Sequence, residues 1–276
     1  AASFDTIYYD SYEDLISSNL DAVYIPLPNG IHYDWIKKSL NNNLHVLVEK
    51  SLACSLEEVK ELNSLAKAKD LVLMENFQFR FHNQLKQIKD IINSGAIGDI
   101  KLFRSCFGFP PFEDKNNIRY KKEIGGGALL DAGAYTIKAS QIFLGQDLVV
   151  QTANIDIPKN YSVDISGSAT LKQKTGNVTA QIAYGFDHFY QNNIEFWGSK
   201  GKLSANRIFT AGPGVKAEVK LERANIDNKV LYFEDNHFDK MLNFYSALIN
   251  TGKNLEVEYS QNENQARLIN DISSCF

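Results

Sequence analysis

Residues 21–50, DAVYIPLPNGIHYDWIKKSLNNNLHVLVEK, decide the fold class. A short β-branched run over 22–26 is followed by an amphipathic stretch over 31–41 and then by a second apolar run over 44–48. Short buried strands that alternate with amphipathic helices are typical of βαβ units, in which the strands lie parallel in one sheet. The segment therefore predicts a parallel sheet covered by helices.

The same alternation extends on both sides of this segment. It predicts further strands over 6–9 and 71–75 and further helices over 12–18 and 56–68. The second of these helices begins with a capping box, because Ser55 is followed three residues later by Glu58. We interpret residues 1–80 as the second half of a doubly wound α/β domain.

The pattern changes after residue 80. A predicted helix over 83–93 and a long predicted strand over 97–109 lead into a loop rich in Pro and charge over 110–124. A helix over 128–144 is expected next, followed by alternating runs that predict a largely antiparallel sheet. The predicted strands are 149–157, 164–171, 178–184, 193–197, 215–221 and 230–233, and the closing helices are 237–249 and 262–273. Residues 81–276 are thus expected to form an α+β domain whose final helix packs back on the first domain.

Composition excludes several classes of protein. The 276 residues are 44% hydrophobic and 22% charged with a formal net charge of -4, which is typical of a soluble folded protein and argues against a nucleic-acid partner. No apolar run reaches the length of about 20 residues that a membrane helix needs, and the first residues lack the layout of a signal peptide. Cys54, Cys106 and Cys275 are far apart and without CxxC spacing, so neither a disulfide framework nor a metal site is expected. We expect a cytoplasmic protein with reduced thiols.

Two strand ends carry candidate binding residues. Pro26 and Asn29 follow the first strand of the quoted segment, where ligands of open parallel sheets bind, although Pro and Asn can equally form only the turn and the helix cap. Glu49 and Lys50 end the next strand, where such a pair can also be a surface ion pair. Adjacent residues of a strand point to opposite faces, and Lys50 is the better candidate because an ammonium group can polarise a carbonyl.

The stretch IGGGALLDAGAYTIKA, residues 124–139, carries a second candidate pair. Asp131 and Tyr135 are four residues apart on a predicted helix and therefore share a face. A carboxylate there can orient a phenol that donates a proton, whereas the alternative is a tyrosine that is simply packed. The three glycines do not match the GxGxxG fingerprint and are expected to make room for close packing.

Several motifs in this order resemble the Gfo/Idh/MocA oxidoreductases over essentially the whole chain. They are PLPNGIH (26–32), VLVEK (46–50), ENFQFRFH (75–82), GGGALLDAGAY (125–135) and FWGSKG (196–201). The resemblance implies a Rossmann domain that binds NAD or NADP and a second domain with an open, mostly antiparallel sheet that contacts the substrate. It also implies a homodimer or homotetramer.

The resemblance assigns roles to individual residues. Lys50 falls on the lysine of the family's EKP motif, and Asp131 and Tyr135 fall on its acidic and acid/base positions. Hydride transfer to or from a sugar is implied, with Tyr135 as acid/base, Lys50 assisting it and Asp131 orienting the phenol. The candidate contacts on the nicotinamide side are Pro26, Asn29, His32, Glu49, Lys50 and Asn76, of which His32 can equally be a packed helix residue.

The expected substrate is a sugar or a nucleotide-sugar. The run over 107–135 and the NHF tripeptide over 236–238 are similar to NDP-hexose 3-ketoreductases. A non-catalytic sugar- or protein-binding module of the same fold is the alternative function, and an inactive truncated form is another.

The chain departs from the family pattern in two ways. Ser51 stands where the motif has Pro, so the turn after Lys50 lacks a residue of fixed φ and is expected to be looser. The family's GxGxxG strand–turn–helix is not found in the sequence, and it is expected to precede Ala1.

Overall fold

A computed structural model of the chain describes residues 6–275. The first part consists, in chain order, of α1 (Tyr12–Ile16), β1 (Ala22–Ile25), α2 (Asn29–Asn41), β2 (His45–Glu49), α3 (Leu56–Ala68) and β3 (Leu73–Asn76). β2 lies between β1 and β3 and pairs with both in parallel. The parallel sheet that the sequence predicts is confirmed.

Residues 6–9 are not a strand, so this prediction was wrong. The side chains of Ile7 and Tyr8 are 76% and 72% exposed. A β-branched and aromatic composition favours a strand only where a neighbouring strand binds its backbone groups and a core covers one face.

The second part is built on an eight-stranded sheet. Its elements are α4 (Asn83–Asn93), β4 (Ile100–Gly108), α5 (Ala134–Leu144), β5 (Leu148–Asp156), β6 (Ser166–Gln173), β7 (Thr179–Gly185), β8 (Gln191–Gly198), β9 (Gly201–Asn206), β10 (Ala217–Arg223), β11 (Ile226–Phe233), α6 (His237–Thr251) and α7 (Leu255–Ser273). The strand order is β11-β10-β9-β8-β4-β7-β6-β5, in which β4 and β7 are parallel and the other neighbours antiparallel. The mostly antiparallel sheet is confirmed.

Three details differ from the sequence prediction. β9 was missed because only Ser199 and Lys200 separate it from β8. α7 begins at Leu255 rather than at 262, and its earlier start was missed because polar residues such as Glu258 and Asn262 are buried there beside Tyr259, which leaves no regular apolar stripe in the sequence. The helix expected from 128 opens with a π turn over Leu129–Gly133 before α5 begins.

Helix α7 connects the two parts. Its Tyr259 packs in the hydrophobic core of the parallel sheet, while Leu268 and Ile272 pack in the core of the large sheet. The Tyr259 hydroxyl donates to the Leu71 carbonyl at 2.5 Å, and the Asn262 amide donates to the Leu73 carbonyl at 3.0 Å. The final helix therefore holds the start of β3 and packs on the cores of both sheets. Over residues 6–275, no helix combines the length and the apolar character of a membrane span.

Candidate active site

The three parallel strands end on one edge of their sheet. β1 leads into the turn at Pro26, after which Asn29 begins α2; β2 ends at Glu49, which Lys50 follows, and β3 ends at Asn76. Because the strands are parallel and in register, with Glu49 opposite Asn76, these side chains lie close together. A cleft of about 170 Å³ opens at this edge.

The cleft contains four of the residues that the sequence singled out. Asn29, Glu49, Lys50 and Asp131 line it, together with the backbone of the glycine segment 125–127. Tyr135 does not line it directly but lies next to Lys50, whose Nζ is 5.1 Å from the centroid of the tyrosine ring.

Lys50 is held by Asp131. Its Nζ forms a hydrogen-bonded ion pair with Asp131 Oδ1 and donates a second hydrogen bond to the Asp131 carbonyl at 3.1 Å. Burial acts to lower the pKa of Lys50, but the charge and hydrogen bond of Asp131, together with the neighbouring Tyr135, raise this pKa above its ordinary value. Lys50 is therefore a charged hydrogen-bond donor at neutral pH.

Arg119 is the second partner of Asp131, and the sequence analysis did not single it out. It lies on a 3₁₀ turn over Ile118–Tyr120, and its Nε is 2.6 Å from Asp131 Oδ2. Burial acts to raise the pKa of Asp131, but the charges of Lys50 and Arg119 and their hydrogen bonds hold it below its ordinary value. One carboxylate thus joins two cations in the cleft.

Asp131 makes no hydrogen bond to the Tyr135 hydroxyl, contrary to the orienting role that their spacing implied. The two residues are four apart, but the π turn over Leu129–Gly133 replaces the α-helical geometry on which that inference depended. The carboxylate contacts Lys50 and Arg119 instead.

The glycine segment brings Arg119 to Asp131. The N–H of Gly126 donates to the Lys121 carbonyl at 2.9 Å, and the N–H of Gly127 donates to the Arg119 carbonyl at the same distance. A Cβ on Gly126 would lie 2.5 Å from the Arg119 carbonyl oxygen, a contact too short for any side chain. The close packing that the sequence predicts here is confirmed.

Ser51 fixes the turn after Lys50 through hydrogen bonds rather than through a locked φ angle. The residue is buried, and its N–H donates to Asn29 Oδ1 at 3.1 Å while its Oγ donates to the Leu130 carbonyl at 3.0 Å. Proline could form neither bond. These two bonds constrain the turn where the family motif has proline.

Asn29 joins three segments around the cleft. Its Oδ1 accepts the Ser51 N–H, and its Nδ2 donates to the Gly125 carbonyl at 3.0 Å. Both ends of the amide are therefore used within the protein. The side chain lines the cleft and also holds its walls together.

Glu49 and Asn76 form a polar group at the ends of β2 and β3. Glu49 Oε1 accepts hydrogen bonds from the Tyr24 hydroxyl at 2.6 Å and from Asn76 Nδ2 at 2.7 Å. Asn76 is buried, and its Oδ1 has no hydrogen-bond partner among the described residues. The oxygen is therefore a buried, unsatisfied acceptor next to Glu49 at the strand ends.

His32 and Pro26 lie away from the cleft. His32 is completely buried, with Nδ1 2.8 Å from the Ser51 carbonyl oxygen and Nε2 2.6 Å from that of Leu27. It has no surface that a cofactor can touch, so its assignment as a nicotinamide contact was wrong. Pro26 is exposed and borders an apolar hollow with Tyr12 and Trp35 instead of the cleft.

Tyr135 is surrounded by aromatic rings. Phe77, Phe79, Phe107 and Phe209 pack around it with centroid distances of 5.2–5.8 Å. Burial raises the pKa of its phenol, and the nearby Lys50 charge opposes this effect only in part. The phenol is therefore protonated at neutral pH and held in one place.

Lys50 places a fixed positive charge in the cleft, and the Tyr135 phenol, a proton donor, lies next to it. Such groups stabilise a developing alkoxide by hydrogen bonding and supply its proton. In residues 6–275, no three His, Cys, Asp or Glu side chains are grouped so that they could hold a metal ion.

Models of two protein domains match the chain. Residues 1–77 match the model described as the oxidoreductase family, NAD-binding Rossmann fold, and residues 85–204 match the GFO/IDH/MocA C-terminal domain. The two matched segments contain every residue of the cleft.

Curated relatives match nearly the whole chain. A dTDP-3,4-didehydro-2,6-dideoxy-alpha-D-glucose 3-reductase of Actinomadura kijaniata is 36% identical over 92% of this chain and 76% of its own length. The D-xylose 1-dehydrogenase (NADP(+)) 2 of Haloferax volcanii is 29% identical over 96% of this chain and 81% of its own length.

The structure is also similar to solved ones. KijD10, a 3-ketoreductase from Actinomadura kijaniata in complex with NADP and TDP-benzene, superposes with a TM-score of 0.92 at 34% identity. The match covers 96% of this chain and 82% of that one.

Proposed function

The chain belongs to the Gfo/Idh/MocA family of NAD(P)-dependent oxidoreductases, and from this premise we propose that it reduces a keto group of a nucleotide-linked sugar. The observation that carries the proposal is the charged Lys50, bound to Asp131 and lying against the Tyr135 ring at the end of a parallel strand. Relatives with 3-reductase activity and one bound to NADP lead us to propose C3 as the reduced position and NADPH as the reductant.

The residues at the strand ends fit the nicotinamide part of such a cofactor. Asn29, Glu49 and Lys50 line the cleft, and Asn76 Oδ1 is a buried acceptor without a partner among the described residues, which suits the N–H groups of a carboxamide. Pro26 lies outside the cleft but is exposed directly after β1, and we propose that it contacts a more exposed part of the cofactor. When bound, the reduced nicotinamide supplies the hydride.

We assign proton donation to Tyr135. Its phenol is protonated at neutral pH, and the packed rings around it exclude water. Lys50 donates a hydrogen bond to the same substrate oxygen and stabilises its negative charge. We propose that Asp131 keeps Lys50 charged and in place, instead of orienting the Tyr135 phenol.

The test compares two tyrosines of equal burial. Tyr135→Phe is expected to lower the turnover of a dTDP-linked 3-keto-6-deoxysugar with NADPH by about a hundredfold or more. Tyr245→Phe is the matched control, because Tyr245 is also 8% exposed and its buried hydroxyl lacks a hydrogen-bond partner among the described residues. Unchanged turnover in Tyr135→Phe contradicts the assigned role.

The same assay separates the proposed substrate from other candidates. Oxidation of D-xylose with NADP, without turnover of any nucleotide-sugar, would identify an aldose dehydrogenase instead. Binding of a nucleotide-sugar without turnover under any condition would identify a non-catalytic module.

A further inference from the structure

A second pair of charged residues lies behind the cleft. Glu75 on β3 is 2% exposed and Lys138 on α5 is 1% exposed, and Lys138 Nζ is 3.7 Å from Glu75 Oε2. Charged groups in a protein interior are destabilising unless a partner compensates them. The mechanism proposed above uses neither residue.

Glu75 contacts the turn that follows Lys50. Its Oε1 accepts the N–H of Leu52 at 3.0 Å. Leu52 is two residues after Lys50 and is itself buried. A shift of the Glu75 carboxylate would therefore move the backbone that carries the catalytic ammonium group.

Lys138 contacts the surroundings of Tyr135. It lies three residues after Tyr135 on α5, and its Nζ is 4.8 Å from the centroid of the Phe77 ring. The Phe77 ring in turn packs edge-to-face on Tyr135 with centroids 5.5 Å apart. The Lys138 ammonium group therefore contacts one of the rings that pack around the Tyr135 phenol.

The charge of each partner depends on the other. Burial lowers the pKa of Lys138 to about 8, and the Glu75 carboxylate opposes that shift. Burial raises the pKa of Glu75, opposed by the Lys138 charge and by the Leu52 hydrogen bond. Arg80 and Glu258, which form a separate ion pair at 2.7 Å, are the other charged groups that act on Lys138.

We propose that Glu75 and Lys138 are positioning residues, which together fix the Lys50 turn relative to the Tyr135 ring. The inference rests on the proposed function, because it assigns the pair to the same reaction. It goes beyond that function, because the relative position of Lys50 and Tyr135 would then depend on an ion pair that touches neither substrate nor cofactor.

The test uses two single variants and their combination. Lys138→Met and Glu75→Gln are each expected to lower kcat about tenfold with KM for both substrates within about twofold, since an unpaired buried group shifts the turn but not the binding surfaces. The double variant is expected to recover to within about threefold of the parent. It leaves no unpaired charge, and the amide oxygen that Glu75→Gln introduces can still accept the N–H of Leu52.

Glu258→Gln is the matched control. It breaks the neighbouring buried pair with Arg80, which does not contact the Lys50 turn. We expect its kcat per folded molecule to stay within about threefold of the parent, because Glu258 acts on Lys138 only through space and its replacement keeps the Glu75–Lys138 contact in place. An equal loss of kcat in Glu258→Gln and Lys138→Met, or an unchanged kcat in Lys138→Met, overturns the proposal.

A second readout does not depend on turnover. Hydrogen exchange of the Leu52 amide is expected to be about tenfold faster in Lys138→Met than in the parent and unchanged in Glu258→Gln. If the parent lacks activity, the proposed function fails while this readout still tests the pair. Unchanged exchange in Lys138→Met contradicts the positioning role.

Discussion

Lys50 and Asp131 form an ion pair in the cleft, and Lys138 and Glu75 form another in the interior. In the cleft the pKa of the lysine is raised and that of the carboxylate is lowered, so both groups are charged. In the interior both shifts are reversed, with the pKa of Lys138 lowered to about 8 and that of Glu75 raised. The same two kinds of side chain therefore behave in opposite ways in one protein.

Geometry explains the difference. Lys50 is hydrogen-bonded to the Asp131 carboxylate, and Arg119 adds a second cation at 2.6 Å. Lys138 and Glu75 are 3.7 Å apart without a hydrogen bond to each other, so their attraction offsets less of the cost of burial. Lys50 and Asp131, which the proposed reaction uses, are therefore firmly ionised. The ionised states of Lys138 and Glu75 are less strongly favoured.

The largest expected effect comes from a mutation that breaks the ion pair between Lys50 and Asp131. Asp131→Ala should lower kcat about a thousandfold, or about 4 kcal/mol, because Lys50 loses its anchor and burial then acts to discharge it. Steady-state turnover measures the loss. Asp131→Asn, which preserves the size of the side chain, should lose less, and an activity near that of the parent in Asp131→Ala would show that Lys50 is held by other groups.

The next prediction compares the stability of the two pairs. Lys138→Met leaves Glu75 buried without its partner and should lower the free energy of unfolding by about 3 kcal/mol at pH 7. Lys50→Met should cost only about 1 kcal/mol, because Asp131 still has Arg119. Urea denaturation measures both. Equal losses of stability in the two variants would show that the cleft pair and the interior pair depend on their partners to the same extent.

His82 extends the comparison to a buried group outside any ion pair of the described residues. Its Nδ1 accepts the Gln84 N–H at the start of α4, and its Nε2 has no hydrogen-bond partner among the described residues. Burial lowers the pKa of this histidine from 6.5 to about 4, although Asp235 acts in the opposite direction. The group is therefore neutral in the folded protein at neutral pH.

The sign of the pH effect follows from that shift. Below pH 6.5 the unfolded chain binds a proton at His82 that the folded protein does not bind until about pH 4. The free energy of unfolding should therefore fall by about 1 kcal/mol between pH 6.5 and 5 through this residue alone, after allowance for solvent screening. His82→Asn retains an acceptor for the Gln84 N–H and should remove that part of the slope. An identical slope in parent and variant would assign the acid sensitivity to other groups.

The sequence predicted the elements of the site whose position follows from periodicity. Lys50 lies at the end of a strand whose apolar run is visible in the sequence, and the alternation of strands and helices places that end beside the turn at Asn29. Residues 6–9 show the limit of the same reasoning, because composition cannot reveal whether a strand has a partner.

The partners of the site residues were less predictable. His32 was expected to face the cofactor, but whether a histidine on a helix is buried depends on backbone carbonyls from two other segments, Leu27 and Ser51. Arg119 was missed because its position depends on the fold of an irregular loop against the glycine segment 125–127. An arginine shortly before three glycines was the only signal available.

Arg119 also gives the smallest and most specific test of the cleft pair. Arg119→Ala should lower kcat/KM about tenfold, because Asp131 keeps Lys50 but loses one of the two charges that hold its own pKa down. Arg119→Lys retains the charge without the Nε contact and should lose about threefold. Lys122→Ala removes an exposed cation of the same loop and is the control, with activity equal to that of the parent expected. If Arg119→Ala is as active as the parent, Lys50 alone determines the ionisation of Asp131, and the contrast with the interior pair then depends on hydrogen bonding rather than on the third charge.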